Sequence, residues 1–254
     1  MAEEKLPSLT FLGTNGWYDT ATGNTVCALI KTRRWDIVLD AGNGLYKLDR
    51  YCDGKKPVFI LLSHFHIDHI AGLHTLVKFK FGKGLTICGQ RGTRRVLARF
   101  MNRPFTVPLD RLPYPVRIVE LPSEKDRLPF SVETLPLVHA DPVLGFRLEA
   151  DGKTVTYCTD TGYCPNALEL ARGADLLITE CAHLPGETNP HWPHFNPETA
   201  ARLAAEAGAK RLIMTHFSAE RYHKPGLRVM ALRLAKKAFP RTVAARDGLV
   251  FEVP

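Results

Sequence analysis

Short apolar runs bounded by Gly, Pro or charged residues recur along the chain, at residues 9–12, 25–30, 36–39, 58–62, 132–138, 143–148, 154–157, 176–178 and 212–214. Runs of that length predict strands rather than helices. Asp151-Gly152 and Asp247-Gly248 each carry a hairpin signal. Between the strands the spacing changes to a helical period. Asn196 offers an N-cap, Pro197 a first-turn proline, and Ala200, Leu203, Ala204 and Ala207 recur on one face before Gly208. Leu227, Met230, Ala231, Leu234 and Ala238 predict a second helix ahead of Pro240. Val96, Leu97, Phe100 and Met101 predict a third, and Ile70, Leu73 and Val77 a fourth. Many strands with interleaved helices imply a layered α/β architecture.

Composition narrows the class. The 254 residues are 45% apolar and 24% charged, with no linker, repeat or low-complexity stretch, so residues 1–254 read as a single domain. No apolar run approaches the roughly 18 residues of a membrane span. The opening Met1-Ala2-Glu3-Glu4-Lys5 is acidic where a secretory leader would be basic. Six cysteines form no C-x-x-C pair, which argues for reduced cytoplasmic thiols over disulfides or a thiolate metal site. The net charge of +8 favours anionic partners, although solubility alone would also account for it. Arg91, Arg95 and Arg99, with Arg94 and Arg103, form one candidate basic face; Arg228, Arg233, Lys236 and Lys237 form another. Either could meet phosphates, and solvated helix faces are the ordinary alternative.

The chemistry concentrates after the strand at 58–62. His64-Phe65-His66-Ile67-Asp68-His69 places four potential ligands in six residues. In extended chain His64 and His66 point the same way and can share one ion. Asp68 and His69 sit where the chain turns into a helix and can hold a second. His139, Asp160 and His216 each follow an apolar strand. The carboxyl ends of strands are where α/β sheets build their sites.

On these residues the chain resembles the metallo-β-lactamase superfamily, whose H-x-H-x-D-H signature stands here as residues 64–69. The flanking blocks are most similar to its ribonuclease Z branch: Phe11-Leu12-Gly13-Thr14, Asp160-Thr161, residues 174–180, and Lys210 through Ser218. The resemblance implies a four-layer αββα sandwich. It implies one ion on His64, His66 and His139, a second on Asp68, His69 and His216, and Asp160 bridging them. Nitrogen and oxygen ligands without thiolate suit Zn²⁺, with Mn²⁺ or Fe as alternatives. It further implies that Asp68 orients or deprotonates the attacking water, and that His194, paired with Glu180, serves the leaving group.

Two departures bear on substrate. Only 21 positions separate His139 from Asp160, too few for the protruding arm with which ribonuclease Z proteins clamp tRNA. Their acidic segment stands here as Asp40-Ala41-Gly42-Asn43. The expected function is therefore a cytoplasmic two-metal hydrolase of a phosphodiester, either a small molecule or RNA. Lactone or carboxylic ester hydrolysis is the alternative within the superfamily. A nucleic-acid-binding protein that keeps the fold without catalysis is a third reading. The family also leaves a homodimer open, with no heptad or apolar stripe in the sequence to encode it. In the polar connection 181–193, His183 and His191 read as exposed loop residues. The stretch 13–25 reads as an anion-binding backbone or, more simply, a tight β-loop.

Overall fold

Most of the near-continuous apolar runs become strands buried on both faces, while the run at 132–138 forms an edge strand that is only partly buried. The computed structural model describes residues 7–254; the acidic opening that bears on secretion lies outside them. One sheet holds β1 (Ser8–Gly13), β3 (Cys27–Lys31), β4 (Asp36–Leu39), β5 (Val58–Leu61), β6 (Leu85–Gln90), β7 (Val116–Leu121) and β15 (Val250–Glu252), in the order β15-β1-β3-β4-β5-β6-β7. The other holds β8 (Val132–Leu137), β9 (Val143–Ala150), β10 (Lys153–Cys158), β11 (Leu176–Glu180), β12 (Leu212–Thr215) and β14 (Thr242–Ala244), in the order β14-β12-β11-β10-β9-β8. A separate parallel pair, β2 (Asn15–Gly16) with β13 (Phe217–Ser218), straps the first loop to the segment after His216.

Alternation along each strand explains the layering. Ile37 and Leu39, and likewise Phe59 and Leu61, face the other sheet, where they meet Phe146, Val155, Tyr157 and Ile178. Their neighbours Val38, Val58 and Ile60 face outward and are covered by Leu73, Leu76 and Leu97. The second sheet turns Leu177, Leu212 and Met214 outward against α3 (Pro165–Ala171), α4 (Pro197–Glu206) and α5 (Pro225–Ala238). The first is crossed by α1 (Ile67–Ile70), a 3-10 segment over Ala71–Lys78, and α2 (Thr93–Phe100). Parallel neighbours need such crossovers, and the result is the expected αββα sandwich. Among the described residues, no helix is long and apolar enough to cross a membrane.

One hairpin expectation holds, and other sequence expectations need correction. Asp151 and Gly152 both take left-handed backbone and close the β9–β10 hairpin. Asp247-Gly248 makes no hairpin, because β14 and β15 belong to different sheets and the turn carries the chain between them. Its Asp247 carboxylate accepts from Thr14, Lys47 and the Asn24 N–H, contacts that decide the path. After His69 the helix tightens to 3-10, so Ile70, Leu73 and Leu76 align at three-residue steps and Val77 is left half exposed. Strands β6, β7, β14 and β15 were not among the predicted runs. Polar residues dilute β6 and β7, and the last two have three residues each.

Helix α5 buries Arg228, Ala231 and Ala235 and exposes Met230. Arg228 therefore does not belong to a basic surface. Its guanidinium donates to Asn15 Oδ1 and to Thr14 Oγ1, and lies 4.6 Å from the centre of the Phe217 ring. The partners that make its burial tolerable stand more than 200 residues away in sequence. In α4 the expected cap is present: Asn196 Oδ1 accepts from the Thr199 N–H at 2.8 Å.

Candidate metal centre

The strand topology delivers every candidate ligand to one edge of the sandwich. His64 and His66 follow β5, His139 follows β8, Asp160 follows β10 and His216 follows β12, while α1 supplies Asp68 and His69. Glu180 ends β11, and His194 stands just before α4. Asp40, Asp160 and His216 all adopt left-handed backbone, with φ of 54°, 48° and 48°. Non-glycine residues held in that region concentrate at sites that need a side chain aimed against local preference.

The side chains converge. Ligand atoms of His64, His66 and His139 form one group lying within 4.8 Å of one another, and those of Asp68, His69 and His216 form another. Asp160 lies between them, grouping with His64 and His69 on one side and with His139 and His194 on the other. Its Oδ2 is 3.1 Å from His69 Nε2 and 3.3 Å from His216 Nε2. Asp68 Oδ2 stands 3.3 Å from that same His216 nitrogen. All seven residues expected to bind metal are thus brought together, and none of the six buried cysteines joins them.

These residues fit a cation. His64 Nε2, both ring nitrogens of His139, and His216 Nδ1 are buried without a hydrogen-bond partner. Buried polar atoms are nearly always satisfied, so the bare nitrogens of His64 and His139, whose ligand atoms group with Asp160, match a divalent ion's requirements. Burial holds His64 well below the ordinary imidazole range and lowers His139 as well, which keeps their lone pairs available. Burial opposes ionisation of Asp68 and Asp160, yet neighbouring His69 and His216 hold both carboxyls well below their usual range.

Supporting hydrogen bonds orient the candidate ligands, a role the sequence did not reveal for Asp40, Ser63, Tyr157 and Asp141. Asp40 Oδ2 accepts from His69 Nδ1 at 2.8 Å, from Ser63 Oγ at 2.9 Å and from Tyr157 Oη at 2.7 Å. This turns His69 Nε2 toward the cluster. Exposed Asp141 meets His66 Nε2 at 2.8 Å. Such partners set tautomer and ring direction in metal sites. The 13–25 stretch is the tight loop. Asp19 gathers Asn24, Asn43 and the Thr25 N–H, while the Trp17 N–H donates to Asp68 Oδ2 at 2.6 Å. Gly16 is required there, since a Cβ would fall 2.4 Å from His216 Cε1.

Beside the cluster, His194 Nδ1 meets Glu180 Oε1 at 2.5 Å. Glu180 also accepts the N–H groups of Thr161 and Ala182. Burial works against a charged His194, yet the Glu180 carboxylate outweighs it and lifts the imidazole to about 9. A cavity of about 410 Å³ opens here, lined in part by Trp17, Asp68, Asp160, Trp192, His194 and Arg221. His191 is exposed as expected, but His183 is buried at 2% exposure beneath this loop. It approaches the Trp192 carbonyl and the Glu187 carboxylate, tertiary contacts that its polar sequence setting did not reveal.

Glu187 anchors the same loop through a bidentate pair with Arg221, at 2.6 to 2.8 Å. That hydrogen bond, against partial burial, brings Glu187 from 4.5 to about 2. Its stabilisation is complete above the unfolded pKa and is lost as pH falls from about 4.5 through about 2. Metal-free protein should therefore lose thermal stability over that window, and Glu187→Gln should lose less. Melting temperatures of the two proteins between pH 7 and 3 check this, and parallel curves would refute it.

Of the candidate basic faces, Arg94 is engaged by Glu124 at 2.6 Å, whereas Arg91, Arg95, Arg99 and Arg103 are exposed. The interval from His139 to Asp160 is taken up by β9, its turn and β10, with no arm.

Comparison with known proteins agrees with this architecture. Residues 34–217 match the beta-lactamase superfamily domain. The chain is 30% identical to a ribonuclease Z of Acaryochloris marina, covering 97% of each chain. That alignment spans 314 positions, so at least 60 have no counterpart in these 254 residues. It is 28% identical to the probable metallo-hydrolase YhfI of Bacillus subtilis over 82% of this chain and 86% of that one. Among solved structures, B. subtilis YhfI superposes with a TM-score of 0.78 at 24% identity, covering 96% of this chain and 98% of that one. The short form of human tRNase Z superposes with a TM-score of 0.74 at 23% identity, covering 97% and 99%.

Proposed function

Because this chain belongs to the beta-lactamase superfamily and is a hydrolase, we propose that it uses two divalent metal ions to hydrolyse a small phosphodiester. The observation that carries this reading is the pair of three-residue ligand groups meeting at Asp160, beside the His194–Glu180 pair. His64, His66 and His139 would hold one ion and Asp68, His69 and His216 the other, with Asp160 available to both groups. The nitrogen and oxygen donor set favours Zn²⁺, with Mn²⁺ or Fe as substitutes. Bound there, such ions supply Lewis acidity, which lowers the pKa of water toward 7 and neutralises charge on phosphoryl oxygens.

The chain's own groups do the rest. Asp68, fixed by the Trp17 N–H, orients the attacking water from the second ligand group. His194 gives its Nδ1 hydrogen to Glu180, and because that carboxylate keeps the ring in its protonated form, Nε2 carries a second hydrogen that it can give to the departing oxygen. The cavity of about 410 Å³ and the short His139–Asp160 interval support a small diester over tRNA held by an arm. Six buried free cysteines support a reducing, cytoplasmic setting, and residues 1–254 act as one hydrolase domain.

Metal-loaded protein should turn over bis(4-nitrophenyl) phosphate and lose that activity on chelation. Activity on neutral lactones with none on phosphodiesters would replace this reading with carboxylic ester hydrolysis. Tight RNA binding without turnover would replace it with a binding role.

A further inference from the structure

Large apolar side chains are usually withdrawn from water, yet two tryptophans stand open at the cavity mouth. Trp17 is 65% exposed and Trp192 is 46% exposed, and both line the cavity. They flank different parts of the site. The Trp17 N–H holds Asp68, whereas the Trp192 ring lies 5.2 Å from His139 and 6.1 Å from His194. Trp192 is also set in orientation, its plane within 8° of the His66 ring at 6.4 Å. The backbone N–H groups of Trp192 and His191 donate to Asn189 Oδ1, which shapes the turn presenting the indole. Val138, next to His139, and Ile67, between His66 and Asp68, are likewise about half exposed or more. An oriented indole at an open polar site is a stacking surface.

We infer that Trp192 is a specificity-determining residue that stacks a planar aromatic ring carried by one arm of the substrate ester. This rests on the phosphodiester reading above, and it names the substrate class as a small phosphodiester bearing a nucleobase or an aryl group. The ring lies on the indole beside His194, and the phosphate then reaches the ligand cluster. The expected gain is about tenfold to a hundredfold in affinity for a ring-bearing phosphate, from the usual strength of base–aromatic stacking.

Calorimetric titration of metal-loaded protein with thymidine 5′-monophosphate, phenyl phosphate and ribose 5-phosphate tests this without relying on turnover. The two ring-bearing phosphates should bind at least tenfold tighter than ribose 5-phosphate, and the tighter of them distinguishes a base from an aryl source. Trp192→Ala should remove that preference while leaving ribose 5-phosphate unchanged, and Trp192→Phe should restore most of it. Equal binding of all three phosphates, absence of binding by both ring-bearing ones, or a preference unchanged in Trp192→Ala would overturn the inference. Failure of the phosphodiester reading shows separately, as no hydrolysis of any diester.

Discussion

Replacing Asp68 with alanine is expected to lower phosphodiester turnover by a thousandfold or more and to leave the protein with about one metal equivalent in place of two. Loss of a residue that only hydrogen-bonds to a ligand costs metal sites about 10- to 100-fold, and Asp68 is proposed to act twice, as a ligand and as the group that orients water. Its position supports both roles. Oδ2 lies 3.3 Å from His216 Nε2 and 3.7 Å from His69 Nε2, and the Trp17 N–H fixes it from the loop side. Metal content by elemental analysis, measured alongside the rate, separates the two roles. Two retained equivalents with a collapsed rate would leave orientation as its main contribution, and two equivalents with full activity would remove Asp68 from the site.

The second large effect is expected at the His194–Glu180 pair. His194→Ala should slow hydrolysis of alkyl phosphodiesters by about 10² to 10⁴, the usual worth of a positioned general acid. It should slow 4-nitrophenyl esters far less, because nitrophenolate departs with little help from a proton. A purely structural role would depress both substrates alike. The pH dependence carries the same signature. Against its burial, Glu180 raises His194 to about 9. The acid form is therefore present below that pH and lost as pH rises through it. Glu180→Gln removes the raising charge, so the alkaline fall in rate should move to lower pH, with alkyl esters most affected. An unmoved alkaline limb would assign it to another group.

How much of this was legible in the sequence depended on the distance over which each feature is decided. His64 and His66 stand two apart in extended chain and so point the same way, and Asp68 and His69 follow within a single short turn, so their convergence is a local property. The apolar run ahead of each later candidate marked His139, Asp160 and His216 as strand ends, and the family pattern joined them. Glu180 and His194 came from that resemblance alone; the 2.5 Å contact between them supplies the geometry. Local signals also placed α4 and the 151–152 turn.

The tertiary structure decided what local spacing cannot carry. Arg228 looks like a surface arginine until α5 packs it against Asn15, 213 residues away. His183 looks like a loop histidine until the Trp192 turn covers it. Asp40 becomes the support of His69 through the parallel pairing of β4 with β5, and Tyr157, from the opposite sheet, donates to the same carboxylate. Composition and periodicity determine which residues seek burial and which segments can form strands or helices. Which buried polar group meets which partner is settled by the stacking of two sheets, because desolvation makes those distant contacts obligatory and the sequence carries no measure of the distance between them.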